Sequence, residues 1–197
     1  MSREIRRVCV FCGSKAGVRP EYVTAAREVG RLVVDRGWEL VYGGGSIGMM
    51  GAVADAVLGC GGRVIGVIPE FLATKELLHT GVTDMRLVDS MHTRKALMNE
   101  LSDAFIGLPG GYGTFEELFE MITWGQLGLH TKPVGLLDTS GFYRPLMELV
   151  RHAVDEGFIK REQRAFVIAD SDPMRLLDRL VEHELPGTKT WLEPDQV

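Results

Sequence analysis

The sequence predicts a single α/β domain: a Rossmann-like parallel sheet with helices on both faces. Three observations carry this reading. Seven short apolar runs alternate with segments of helical period along the chain, and two of those runs end in glycine-rich turns that open helices. The 197 residues, 45% of them hydrophobic, suffice for one sizeable core and not two. A single nucleotide-binding domain over residues 1–197 is therefore expected, with only the tail 186–197, after Pro186, loosely attached.

The first strand is Val8–Cys12, ending in Gly13 and Ser14, and a helix follows from Pro20, with Val23, Ala26, Gly30, Val33 and Val34 along one face and Gly37 closing it. Trp38–Tyr42 is the second strand. The turn Gly43–Gly51 then opens a helix of small residues, Ala52–Leu58, and Arg63–Ile68 is a third strand stopped by Pro69. Between Glu70 and Val82 no period appears, so a loop or short irregular helix is expected there, suited to a lid or substrate wall. Met85–Val88 reads as a short strand, Met91–Leu101 as a helix, and Ala104–Leu108 as a buried strand. Pro109–Glu117 is the second glycine turn, leading into a long apolar helix from Phe115. Pro133–Leu137 and Phe166–Ala169 complete the strands, Phe142–Glu156 is a helix ended by Gly157, and Pro173–His183 is a helix capped by Asp172.

Charge and composition exclude several classes of function. The net charge is −5, acids and bases are interspersed, and no apolar run approaches the roughly 18 residues of a membrane span, so neither a nucleic-acid nor a membrane partner is expected. The Val8–Cys12 run is too short for the core of a signal peptide, and a soluble, cytoplasmic protein is expected. Cys9 and Cys12 form a C-x-x-C, yet on a strand positions three apart face opposite ways, which argues against a redox pair or half a metal site.

Gly43, Gly45 and Gly48 satisfy G-x-G-x-x-G, a dinucleotide fingerprint had it followed the first strand; it follows the second. The later acid, Glu70, lies after Pro69 in a loop and makes a poor ribose partner, so a nicotinamide or flavin enzyme is disfavoured. Two glycine turns at carboxyl ends of parallel strands converge on one crevice, and a single mononucleotide is the expected guest.

Two charges break their helices' patterns. Glu116, Glu120 and Thr123 share a polar stripe, but Glu117 falls with Met121 and Trp124 on an apolar one. Thr114 and Glu117 have capping-box spacing, which accounts for the glutamate locally. Arg94 shares a stripe with Met91, Leu97, Met98 and Leu101; either it reaches out from the helix edge, or it is buried and paired with Glu117 or a ligand phosphate.

Pro109–Glu117 matches a PGGxGTxxE signature, and Met91, Arg94 and Lys95 match an M-x-x-R-K element. With Val8–Ser14, Val41–Gly45, Ile122–Trp124 and Lys132–Gly135, they make the chain similar to the LOG ("lonely guy") family of cytokinin riboside 5′-monophosphate phosphoribohydrolases. The resemblance implies a homodimer that hydrolyses the N-glycosidic bond of N6-modified AMP, and of AMP itself, to free base and ribose 5-phosphate. It implies Arg94 and Glu117 as the catalytic pair, and substrate contacts at Glu76, Lys95, Gly111, Tyr112, Gly113, Thr114, Phe115, Glu116 and Thr123. The residues themselves add Ser14, Gly43, Gly44 and Gly45 as phosphate contacts, and Met49, Met50, Phe71 or residues of a partner copy as an apolar wall for an N6 substituent.

An oxocarbenium-like transition state needs negative charge near the anomeric carbon and a placed water, and Glu117 is the candidate for both. No metal or cofactor is expected. The lysine decarboxylase label often given to such proteins finds no lysine in a recognisable cofactor setting. A nucleotide or molybdenum-cofactor carrier is the alternative, though a carrier has no evident use for a carboxylate beside a phosphate.

Overall fold

The computed structural model describes residues 3–73 and 77–183. Seven strands, β1 (Arg7–Phe11), β2 (Glu39–Tyr42), β3 (Val64–Pro69), β4 (Asp84–Val88), β5 (Ala104–Gly107), β6 (Val134–Leu137) and β7 (Val167–Asp170), form one sheet in the order β4-β3-β2-β1-β5-β6-β7. Every pairing is parallel. The helices are α1 (Pro20–Asp35), α2 (Gly48–Gly59), α3 (Met91–Leu101), α4 (Tyr112–Leu127), α5 (Arg144–Asp155) and α6 (Pro173–Glu182).

Each face of the sheet has its own core. Val8, Val10 and Cys12 of the first strand and its end face a cluster built with Ala26, Val29, Val53, Val57 and Leu176, so α1, α2 and α6 cover that side. Cys9 and Phe11 face Met98, Leu118, Met121 and Tyr143 on the side of α3, α4 and α5. The strand pleat thus separates the C-x-x-C cysteines onto opposite faces, as a period of two requires. All three cysteines are free.

Two boundaries differ from expectation for a shared reason. Helix α2 begins at Gly48 and α4 at Tyr112, three to four residues before the apolar periodicity starts. In both cases the glycine turn itself winds the first helical turn. Residues Glu70–Leu72 form a single 3₁₀ turn, matching the expected irregular segment. The tail 186–197 lies outside the described residues.

The chain leaves β1 toward β2, β3 and β4 on one side and returns through β5 to the other, so the switch in strand order falls between β1 and β5. A ligand crevice is expected there, outside the carboxyl ends of the strands. Leu108 N–H donates to the Phe11 carbonyl at 2.9 Å and Gly13 N–H to that of Pro109 at 3.1 Å, which locks the two strand ends together. The buried Tyr143 hydroxyl braces the same spot, donating to the Leu108 carbonyl at 2.7 Å. An alanine at Gly110 would place its Cβ 2.9 Å from the Gly13 nitrogen, so glycine is required where these turns cross.

Candidate active site

A crevice of about 390 Å3 opens at this switch point. It is lined by the glycine turns at Gly13, Ser14, Gly111, Tyr112, Gly113 and Thr114, by Arg94, Glu117 and Gly43, and by an apolar set, Ile47, Met50, Ile68, Leu72 and Leu77.

The cradle is the amino terminus of α4. Its N-cap is Gly111, with no side chain closing the turn, so the N–H groups of Tyr112, Gly113 and Thr114 have no intrahelical acceptor. The helix dipole adds positive potential there. Gly111 and Gly113 have no heavy atom within 4 Å of where a Cβ would stand. Packing does not demand these glycines, and the open space above them is the width an anion needs to reach the backbone.

The other glycine turn does different work. Met49 and Met50 N–H groups at the start of α2 both donate to the Gly13 carbonyl, at 3.1 and 3.3 Å, and Ser46 N–H donates to Leu77 O at 2.8 Å. The Ser46, Met49 and Met50 donors are therefore spent within the protein, while of the three glycines expected to bind phosphate Gly43 and Gly45 line the crevice and Gly44 does not. Gly43 makes room for an arginine: a Cβ there would lie 2.3 Å from Arg94 Nη2.

Arg94 and Glu117 meet in the crevice. Arg94 Nη1 donates to Glu117 Oε1 at 2.8 Å and Arg94 Nε to the Val67 carbonyl at 3.0 Å, with both residues over 90% buried. This decides the alternatives left by the sequence. Thr114 is already the third residue of α4, not its cap, so no capping box forms, and Arg94 does not reach out from its helix edge. Burial pushes the Glu117 carboxyl above the usual glutamate range, while Arg94 opposes that rise. Cys12 also faces the crevice, and burial followed by the charge of Glu117 raises its thiol so far that it stays protonated.

Several expected contacts are placed elsewhere. Lys95 is buried against Glu116 and Glu120, where burial lowers its ammonium but the two carboxylates outweigh that and leave it raised. Glu116, Phe115, Gly44 and the exposed Thr123 likewise do not line the crevice; Thr123 Oγ1 donates to Phe119 O at 2.7 Å. Glu76 lies outside the described residues. Of the expected apolar wall only Met50 contributes, since Met49 is buried in the core and Phe71 points outward at 63% exposure. Sequence reasoning missed Ile47, Ile68, Leu72 and Leu77, although Ile68 could have been found as the last apolar residue before the strand-ending Pro69. It also missed Lys15, which with Tyr22 and Phe142 lines an adjoining cavity of about 380 Å3 behind Gly13 and Gly111.

The fold and the site define a Rossmann-like α/β protein with an anion cradle beside a buried arginine–glutamate pair. A family model described as "possible lysine decarboxylase" matches residues 50–180. The probable cytokinin riboside 5′-monophosphate phosphoribohydrolase LOGL2 of Oryza sativa subsp. japonica is 51% identical over 98% of this chain and 80% of its own length. The corresponding enzyme LOG2 of Arabidopsis thaliana is 48% identical over 90% of this chain and 84% of its own. The chain belongs to the LOG family of cytokinin riboside 5′-monophosphate phosphoribohydrolases.

Among solved structures, the molybdenum cofactor carrier protein of Chlamydomonas reinhardtii superposes with a TM-score of 0.68 at 21% identity, covering 91% of this chain and 99% of that one. The molybdenum cofactor binding protein of Rippkaea orientalis superposes with 0.67 at 20% identity, covering 90% and 96%. At such identities the likeness is one of fold. The decarboxylase description does not fit the crevice: among the described residues no lysine lines it, and Lys95 is held by two carboxylates outside it.

Proposed function

We propose that this protein hydrolyses the C1′–N9 bond of N6-modified adenosine 5′-monophosphate, releasing the free cytokinin base and ribose 5-phosphate, with AMP as a poorer substrate. The observation that carries the reading is the buried Arg94–Glu117 pair in the crevice beside the open amino terminus of α4. The amides of Tyr112, Gly113 and Thr114 receive the 5′-phosphate, with Ser14 beside them. Held there, the ribose presents its anomeric carbon to Glu117, which stabilises the oxocarbenium-like cation and orients or deprotonates the attacking water. Arg94 keeps that carboxylate ionised against the cost of its burial and fixes its direction. The base extends toward Ile47, Met50, Ile68, Leu72 and Leu77, an apolar end suited to a prenyl substituent.

The same reading places the protein in the cytoplasm as a homodimer. Three free thiols suit a reducing compartment, and among the described residues no helix is long and apolar enough to cross a membrane. The outer face of α4 presents Phe119 at 42% exposure beside a cavity of about 670 Å3 lined by His92, Thr93, Asn99 and Trp124, a surface a second copy can cover. Sedimentation showing a monomer at micromolar concentration counts against the dimer.

The test is to incubate the protein with AMP and with N6-isopentenyladenosine monophosphate and to measure free base and ribose 5-phosphate. Glu117→Gln should retain nucleotide affinity while turnover falls about a hundredfold or more. Binding without product in the unmodified protein refutes the hydrolase, and near-normal release by the variant refutes the role of Glu117.

A further inference from the structure

The apolar end of the crevice is partly built by a strap that crosses the first glycine turn. Leu77 lines the crevice, and its carbonyl accepts the Ser46 N–H at 2.8 Å and the Ser46 hydroxyl at 3.3 Å. Leu78 bridges Gly45, and His79 N–H donates to the Gly44 carbonyl at 3.0 Å. The strap is therefore paired to the turn as a short antiparallel piece, outside the parallel sheet. The strap thus occupies both donors of Ser46.

A side-chain latch fixes the far end of the strap. His79 Nε2 lies 3.0 Å from Asp55 Oδ1 on α2, and Gly81 N–H donates to His79 Nδ1 at 3.2 Å. Because Nδ1 accepts from Gly81, Nε2 carries the hydrogen and donates to Asp55. The imidazole is mostly covered at 12% exposure, whereas Asp55 is 70% exposed, so the aspartate's position costs the core little to alter. Neither residue lines the crevice, yet α2 carries Met50 and the strap carries Leu77, both part of its apolar lining.

We propose that His79 and Asp55 are positioning residues that hold Leu77 against the base end of the crevice and thereby set the preference for an N6-alkylated nucleotide over plain AMP. The proposal rests on the hydrolase reading above. An alkyl substituent gains affinity only if the wall it lies on is held in contact, whereas the amides at the start of α4 and the Arg94–Glu117 pair make no hydrogen bond to the strap. Releasing the latch therefore removes the contribution of the substituent and leaves the rest of catalysis intact. Pocket discrimination of this kind is worth about ten- to two-hundredfold for a small apolar group.

The experiment measures kcat and KM for N6-isopentenyladenosine monophosphate and for AMP in the unmodified protein, Asp55→Ala, His79→Ala and His79→Gln. For Asp55→Ala, the kcat/KM ratio between the two substrates should fall about tenfold, through a higher KM for the isopentenyl nucleotide, with kcat on AMP unchanged within about twofold and an unaltered melting temperature. His79→Ala should behave alike, and His79→Gln, which keeps a donor toward Asp55, should recover part of the ratio. An unchanged ratio in Asp55→Ala, or an equal loss on both substrates, overturns the latch. Should His79→Ala fail to fold, the exposed Asp55→Ala decides alone. If the unmodified protein cleaves neither nucleotide, it is the hydrolase reading that fails.

Discussion

Gly113→Ala separates a glycine kept for a ligand from one kept for the fold. Gly113 is the second residue of α4, in helical conformation, and an added Cβ meets no heavy atom within 4 Å. The substitution should therefore stabilise the folded protein by up to about 0.5–1 kcal/mol, because alanine loses less backbone freedom than glycine on entering a helix. For a chain of this size that is a rise in melting temperature of about 1–4 °C. Cβ atoms on a helix lean toward its amino terminus, so the new methyl intrudes on the space where a phosphate oxygen must approach the amide within about 3 Å. Nucleotide affinity should fall at least tenfold, about 1.4 kcal/mol or more. Isothermal titration with AMP beside a thermal melt gives both numbers from one preparation. A variant that is more stable and binds AMP as tightly as the unmodified protein refutes the placement of the phosphate at the start of α4.

Gly43→Ala would place a Cβ 2.3 Å from the buried Arg94 Nη2, so as the guanidinium is pushed off Glu117 the melting temperature should fall and kcat should drop about ten- to a hundredfold. Since Glu117 must be ionised to act and burial raises its carboxyl, activity should disappear with falling pH above the ordinary glutamate range; Arg94→Ala, which leaves burial unopposed, should move that acid limb higher still. His130 is buried, accepts from Lys132 N–H through Nδ1 and faces the Met121 carbonyl through Nε2, and burial lowers it to about 4. Its unfolded form binds a proton near 6.5, so stability should be full above about pH 6.5 and decline as pH falls toward 4, by up to about 3 kcal/mol. Urea midpoints in His130→Asn that still follow the unmodified protein over that window would show another group responsible.

The fold was legible because a doubly covered parallel sheet writes itself as apolar runs of four to six residues, and all seven stand where the sequence places them. The catalytic pair was legible for a different reason. Arg94 and Glu117 each violate the stripe of their own helix, and two opposite violations on helices flanking one strand are most cheaply resolved by pairing. What sequence could not assign was the division of labour between the two glycine turns. Glycine permits a close approach without saying of what, and at Gly43 the approaching group is Arg94, at Gly110 the Thr114 side chain and the backbone of Gly13, and at Gly113 nothing within 4 Å. The distinction lies in which amides are already spent. The Gly13 carbonyl takes two donors of α2, and Leu77 takes that of Ser46 across 31 residues, a pairing that no local period encodes. The first amides of α4 at Tyr112, Gly113 and Thr114 have no such backbone acceptor among the described residues. The same logic explains why Leu77, absent from any motif, closes the crevice: its position is set by hydrogen bonds to the backbone of a distant turn, and only the geometry reveals that the turn is there to hold it.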